Sequence, residues 1–89
     1  MALGGMAMPM YFIHFTSADD RYEDLEGIDL PDDEAACDYA IQDTRYLMDE
    51  GFADPGDWPG WRVEVADETG RQLLALTFAE IEAGRSRMH

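Results

Sequence analysis

The residues able to supply a nucleophile or a base are few in this chain of 89 residues: one cysteine, Cys37; two histidines, His14 and His89; and two serines, Ser17 and Ser86. Nucleophilic catalysis needs a nucleophile and a base within reach of each other. Here the serines fall in a turn and a tail, one histidine is the last residue, and no G-x-S-x-G motif occurs. Cys37 lies on the apolar side of a helical pattern, where a thiol is ordinarily inert packing. His14 is in a strand pattern, where on an open sheet face it pairs with a carboxylate or titrates in an interface, and on a half-buried strand is satisfied by a neighbour. No cofactor is implied: no phosphate-cradling glycine loop is present, and the Gly4-Gly5 pair belongs to the Met- and Gly-rich start.

Carboxylates are the abundant chemical group, with 20 acids against 6 Arg and no Lys, a formal net charge of −14. Asp19, Asp20, Glu23, Asp24 and Glu26 could offer oxygen ligands to a hard cation. A calcium loop of the EF-hand type needs alternating acids, a central Gly and a terminal Glu, and that spacing is missing, so a solvated acidic hairpin is expected, with no metal. Asp38, Asp43, Asp49 and Glu50 extend the acidic patch along the polar side of a helix. The stretch from Asp19 to Glu50 holds 13 acids and 2 Arg, net −11, and the remainder 7 acids and 4 Arg, net −3. Such a charge opposes direct contact with nucleic acid or an anionic membrane. Charge at this level also serves ordinary solubility.

Single-domain size follows from length. A chain this short buries only about 64% of its unfolded surface, so self-association would help stabilise it. Disorder is excluded by a hydrophobic fraction of 46%. A lone cysteine rules out an internal disulfide. No signal-peptide pattern and no long apolar run stands out, and a cytoplasmic protein is expected.

The positioning elements follow from periodicity. Residues 1–9 read as a flexible extension, with Met1, Met6, Met8 and Met10 as competing starts, residues 10–83 as one α+β domain, and residues 84–89 as a flexible tail. Met10 to Thr16 alternates Tyr11, Ile13 and Phe15 against Phe12 and His14, which predicts an interior strand. A weaker strand is expected between Tyr22 and Leu30, with Gly27 at a bulge. Asp32 is the expected N-cap of a helix of about 18 residues in which Ala36, Cys37, Ala40, Ile41, Thr44, Leu47 and Met48 share one side and Gly51 is the stop. Phe52 to Gly60 reads as a loop, Trp61 to Ala66 and Leu73 to Phe78 as a hairpin around Asp67-Glu68-Thr69-Gly70, and Ala79 to Ala83 as one helical turn. The order β-β-α-β-β predicts a four-stranded antiparallel sheet with one helix packed on one face. The other face, carrying either Tyr11, Ile13 and Phe15 or Phe12 and His14 with their neighbours, is left for interaction.

The series Tyr11-Phe12-Ile13-His14, Gly27-Ile28-Asp29-Leu30-Pro31-Asp32 before an Ala-rich helix, then Gly60-Trp61-Arg62-Val63-Glu64-Val65 and Asp67-Glu68-Thr69-Gly70-Arg71, resembles a family of small bacterial proteins known as a domain of unknown function. The resemblance runs from about Met10 to Phe78 and implies a stand-alone α+β domain, with no activity, ligand or catalytic residue to carry over. The long acidic stretch and the N-terminal extension depart from the family pattern.

These features lead to an expectation of a non-enzymatic protein-interaction module that forms a homodimer or joins another protein. Its candidate contact residues are Tyr11, Ile13, His14, Phe15, Trp58 and Trp61, tryptophan being enriched at binding hot spots. The alternative is an acidic decoy that presents carboxylates to a basic protein partner as nucleic acid presents phosphates. A small enzyme is the third class, since acid–base pairs can be assembled by a fold without leaving a motif.

Overall fold

The computed structural model describes residues 8–86. The expected extension up to Ala7, with Met1 and Met6, and the tail from Arg87, with His89, lie outside the described residues. The elements are β1 (Met10–Thr16), β2 (Arg21–Tyr22), β3 (Ile28–Asp29), α1 (Asp33–Asp49), a 3-10 helix (Pro55–Gly60), β4 (Arg62–Asp67), β5 (Gln72–Thr77) and α2 (Phe78–Ser86). The sheet is antiparallel, in the order β2-β1-β4-β5, with β3 also pairing β1. The expected α+β class and one-sided helix packing are present. The expected second strand is two short pieces, β2 on Phe15 and Thr16 and β3 on Met10 and Tyr11, because the acidic, Gly-containing stretch between them leaves the ladder.

β1 lies inside the sheet and pairs β4 from Tyr11↔Asp67 to Thr16↔Arg62. Alternation sends Tyr11 and Ile13 to the helix side, where they are buried with Val63 and Val65 of β4. α1 can approach this surface closely because its contacting residues are small. Ala36, Ala40 and Thr44 are fully buried, with Met48 closing the row at the same four-residue step. The Thr44 hydroxyl donates to the Ala40 carbonyl at 2.7 Å, which satisfies the one polar side chain in this row.

Both ends of α1 are chemically closed. The Asp32 carboxylate accepts from the Ala35 N–H at 2.8 Å, and Asp33 and Glu34 face the positive end of the helix. At the other end Gly51 takes φ +84°. Its N–H donates to Met48 and that of Phe52 to Leu47, the double bond pattern of a Schellman stop. The stop delivers Phe52 into an aromatic group with Phe15, Trp61 and Phe78, at centroid separations of 5.0 to 6.1 Å.

The hairpin between β4 and β5 is built around Asp67. Its carboxylate accepts from the Thr69 hydroxyl at 2.7 Å, the Thr69 and Arg71 backbone N–H groups and the Arg71 guanidinium. The same guanidinium reaches Asp33 at 2.9 Å, and Asp33 in turn accepts from the Tyr11 hydroxyl at 2.9 Å. Turn, helix start and central strand are thereby linked. Burial, then Asp33, pushes the Tyr11 phenol up to about 12.

The expected tail from Gly84 is instead helical. α2 runs from Phe78 to Ser86. It starts on a reciprocal cap in which Glu80 N–H donates to the Thr77 hydroxyl at 3.0 Å and Thr77 N–H to the Glu80 carboxylate at 2.8 Å. It is held by Arg85, which bonds Glu82 at 2.8 Å and Asp49 at 3.1 Å. Phe78 and Ile81 are buried in the core. The predicted loop after α1 contains the 3-10 helix, started by Pro55.

Two outcomes follow. Gly27 has φ +76°, and a Cβ there would meet Met10 Cγ at 2.8 Å and Phe12 Cε1 at 2.9 Å, whereas a Cβ on Gly51 meets nothing within 4 Å. Gly27→Ala is expected to cost about 2–3 kcal/mol and Gly51→Ala about 1 kcal/mol, read from denaturant midpoints. The Thr69 hydroxyl, then backbone and Arg71 donors, hold Asp67 down to about 2 from its ordinary 3.8. A depressed carboxylate stabilises the fold above 3.8, and this contribution is lost as pH falls through about 2. Asp67→Asn is therefore expected to show a shallower fall in stability than wild type over that window in denaturant titrations.

Candidate functional site

The gap between β2 and β3 places a cluster of side-chain hydrogen bonds beside His14. On this edge β1 has strand partners at Met10, Tyr11, Phe15 and Thr16 but not from Phe12 to His14. Asp24 fills the gap. Its carboxylate accepts from the Ile13 N–H at 3.2 Å, the Glu26 N–H at 3.1 Å and the Gly27 N–H at 3.0 Å. Its own N–H donates to His14 Nδ1 at 3.0 Å. A neutral His14 making this bond carries its proton on Nε2. Burial pushes the Asp24 carboxyl up, but the Gly27, Ile13 and Glu26 backbone donors outweigh it and leave the group below its ordinary value.

His14 stands opposite Glu64 of β4, and Glu64 opposite Ala75 of β5. Side chains at paired positions share a face. The helix-free face therefore carries Met10, Phe12, His14, Thr16, Glu64, Ala66, Ala75 and Thr77, all half-buried. Arg21 and Arg62 lie 3.8 and 4.0 Å from Glu64. The face is mixed in character: an apolar corner at Met10 and Phe12 gives way to a charged group at its centre.

The expected contact residues are not gathered in one place. Tyr11 and Ile13 are 2% and 7% exposed, because the alternation of β1 turns them under the helix side, and this removes them from a contact surface. Phe15 is half-buried on the same side, edge-on to Phe78 with centroids 6.1 Å apart. His14 alone of the β1 candidates lies on the open face. Trp58 donates its indole N–H to the Ala53 carbonyl at 3.2 Å and fixes the loop. Trp61 stacks on exposed Tyr22, centroids 5.9 Å apart.

Trp61 also lines an open cleft of about 320 Å³ with Ser17, Ala18, Asp19, Asp20, Asp57 and Gly60. The Ser17 oxygen accepts from the Asp19 and Asp20 N–H groups and so serves the turn. The remaining acids divide by role. Glu23 pairs Arg21, and Asp49 pairs Arg85. Glu26, Asp38 and Glu50 are exposed. Asp43 is half-buried, and burial raises its carboxyl. Among the described residues no three His, Cys, Asp or Glu are grouped to hold a metal ion. Burial, then Asp33 and Asp38, raises the Cys37 thiol, opposite to the shift that activates a nucleophile. No helix among the described residues is long and apolar enough to cross a membrane.

Sequence patterning overlooked several exposed groups. Leu25 is 82% exposed at the tip of the Asp24 loop, and Tyr39 and Tyr46 are exposed on α1. The seven-residue spacing of the two tyrosines was the available signal. Arg45 Nε is buried and has no hydrogen-bond partner among the described residues.

Asp24→Ala leaves three backbone N–H groups without their acceptor and is expected to cost about 2–3 kcal/mol, measured by chemical denaturation; Asp24→Asn, which keeps one oxygen, should cost less.

Comparison with known proteins adds a family and nothing finer. No curated protein and no solved structure matches the chain. The model of the family described as Domain of unknown function (DUF6894) matches residues 10–79, from the first residue of β1 into the start of α2. That span contains the whole sheet, the Asp24 plug and the Asp67 turn, and the chain belongs to this family.

Proposed function

We propose that this domain is a non-enzymatic protein-interaction module that self-associates. The observation carrying the reading is the one-sided sheet: α1 and α2 pack on the face of Tyr11, Ile13, Val63 and Val65, and among the described residues no element is layered over the face of Phe12, His14, Glu64 and Ala75. A domain of two layers leaves such a face to solvent or to a partner. The charge distribution favours this sector as the place of approach. From Arg62 to Ser86 the chain holds five acids and three Arg, whereas Asp19 to Glu50 is net −11. A lone thiol at Cys37 suits a reducing compartment, and the reading accordingly takes the domain as cytoplasmic.

A second reading, a binder of a basic protein, is favoured by the cleft in which Asp19, Asp20 and Asp57 surround Trp61. Carboxylates beside an indole face suit a cationic side chain of a partner.

Light scattering after size exclusion, over a range from low micromolar to near-millimolar protein, is expected to show the mass rising from monomer to dimer. Added salt should strengthen the association by screening two copies of like net charge. A monomer at every concentration and salt level, together with a basic protein captured at low salt and lost at high salt, would replace the first reading with the second.

A further inference from the structure

We propose that two copies of this chain join edge to edge through β5, antiparallel across a two-fold axis at Ala75, into one continuous sheet. The inference rests on the self-association reading and names the surface that carries it. β5 is the terminal strand of the order β2-β1-β4-β5. The Phe78 N–H donates to the Trp61 carbonyl at 2.9 Å, which fixes the phase of the β4–β5 ladder. Backbone groups alternate from there. Leu76 and Leu74 turn theirs toward β4, and Ala75 and Thr77 turn theirs outward. Glu80 occupies the outward Thr77 N–H at 2.8 Å. Among the described residues no hydrogen bond from outside the sheet reaches the Ala75 N–H or carbonyl.

Exposed edges are ordinarily protected by Lys, Pro, inward charges or a covering element. β5 reads Gln-Leu-Leu-Ala-Leu-Thr and contains none of those residues. Its single irregularity is the register shift opposite Val65 and Ala66, which lies at its first half and leaves Leu74 to Thr77 in regular pairing. Side-chain burial points the same way. Val63 and Val65 of β4 are 0% exposed, while Leu73, Leu74 and Leu76 of β5 remain half-buried although they pack on the same core. Leu74 and Leu76, which pair Val65 and Val63, are thus the less covered members of their pairs.

A second copy is the occupant the observations favour. An axis at Ala75 sets a small, uncharged residue against itself, so that the two outward Ala75 N–H groups and carbonyls bond each other, while the Thr77 N–H stays with Glu80 at the rim of the joint. It keeps the sheet face continuous and puts the helices of both copies on one side. It also places the two acidic β2–β3 edges at the far ends of the joined sheet, as the charge of each chain requires.

The test is a charge swap at the axis. Ala75 lies on the open face, where a long side chain fits without entering the core. Ala75→Lys and Ala75→Glu each set like charges against each other and are expected to weaken self-association about tenfold or more. Far-UV circular dichroism checks that each remains folded. Mixing the two variants is expected to restore a dimer of mixed composition, identified by native mass spectrometry. Ala75→Pro removes the outward N–H with no added charge and is expected to be a folded monomer, which keeps the test open if a charged variant fails to fold. Wild type that dimerises while the folded variants dimerise equally well would overturn the β5 edge and leave self-association standing. Wild type that is monomeric throughout would overturn both.

Discussion

The pairing of β1 with β4 and its closure by Ala36 and Ala40 is the contact on which the remaining structure depends. Those two alanines are fully buried against the face that carries Val63 and Val65. Larger side chains at either position would lift α1 off the sheet and open voids in the row that Thr44 and Met48 complete. One helix of 17 residues, aided by a short second helix, covers one face of the sheet. The open face and the bare β5 edge are the geometric remainder of that arrangement. The proposed function reads the remainder as the working surface.

The acidic character of the chain divides into structural and surface parts. Asp24 replaces a missing stretch of strand by accepting from three backbone N–H groups. Asp67 organises the second hairpin, and Asp33 joins Arg71 to Tyr11. Asp32 caps a helix, and Asp49 with Glu82 holds the last helix through Arg85. These carboxylates are part of the fold, and their exchange for neutral residues would be felt as lost stability rather than lost surface charge. The carboxylates of Glu26, Asp38 and Glu50 make no such bond among the described residues and belong to the solvent-facing remainder.

Sequence reasoning succeeded where one local pattern decided the outcome. Asp32, the four-residue steps of α1 and the left-handed Gly51 are signals contained within a few residues, and each formed as expected. The alternation of β1 was readable, but which of its faces would be covered was not, because that depends on where α1 lands after a connection across the sheet. Tyr11 and Ile13, contact candidates by alternation alone, lie on the face that the helix occupies. The division of the second strand was equally hidden, since the plug at Asp24 draws its donors from β1 as well as from its own loop. The second helix is longer than the single turn that Ala79 to Ala83 suggests, running from Phe78 to Ser86: Thr77 and Glu80 form a capping pair at the three-residue spacing that marks a helix start, inside what reads as the end of a strand.

The central claim, that the uncovered sheet of this domain serves to bind another copy through β5, is tested most directly at one backbone amide. Hydrogen exchange of Ala75, resolved by NMR at low and high protein concentration, isolates a group that has no hydrogen-bond partner among the described residues. The Ala75 amide is expected to exchange quickly in dilute protein and to become protected as concentration rises, while the Leu74 and Leu76 amides, already paired to β4, change little. Exchange at Ala75 that is independent of concentration while the protein self-associates would contradict the claim.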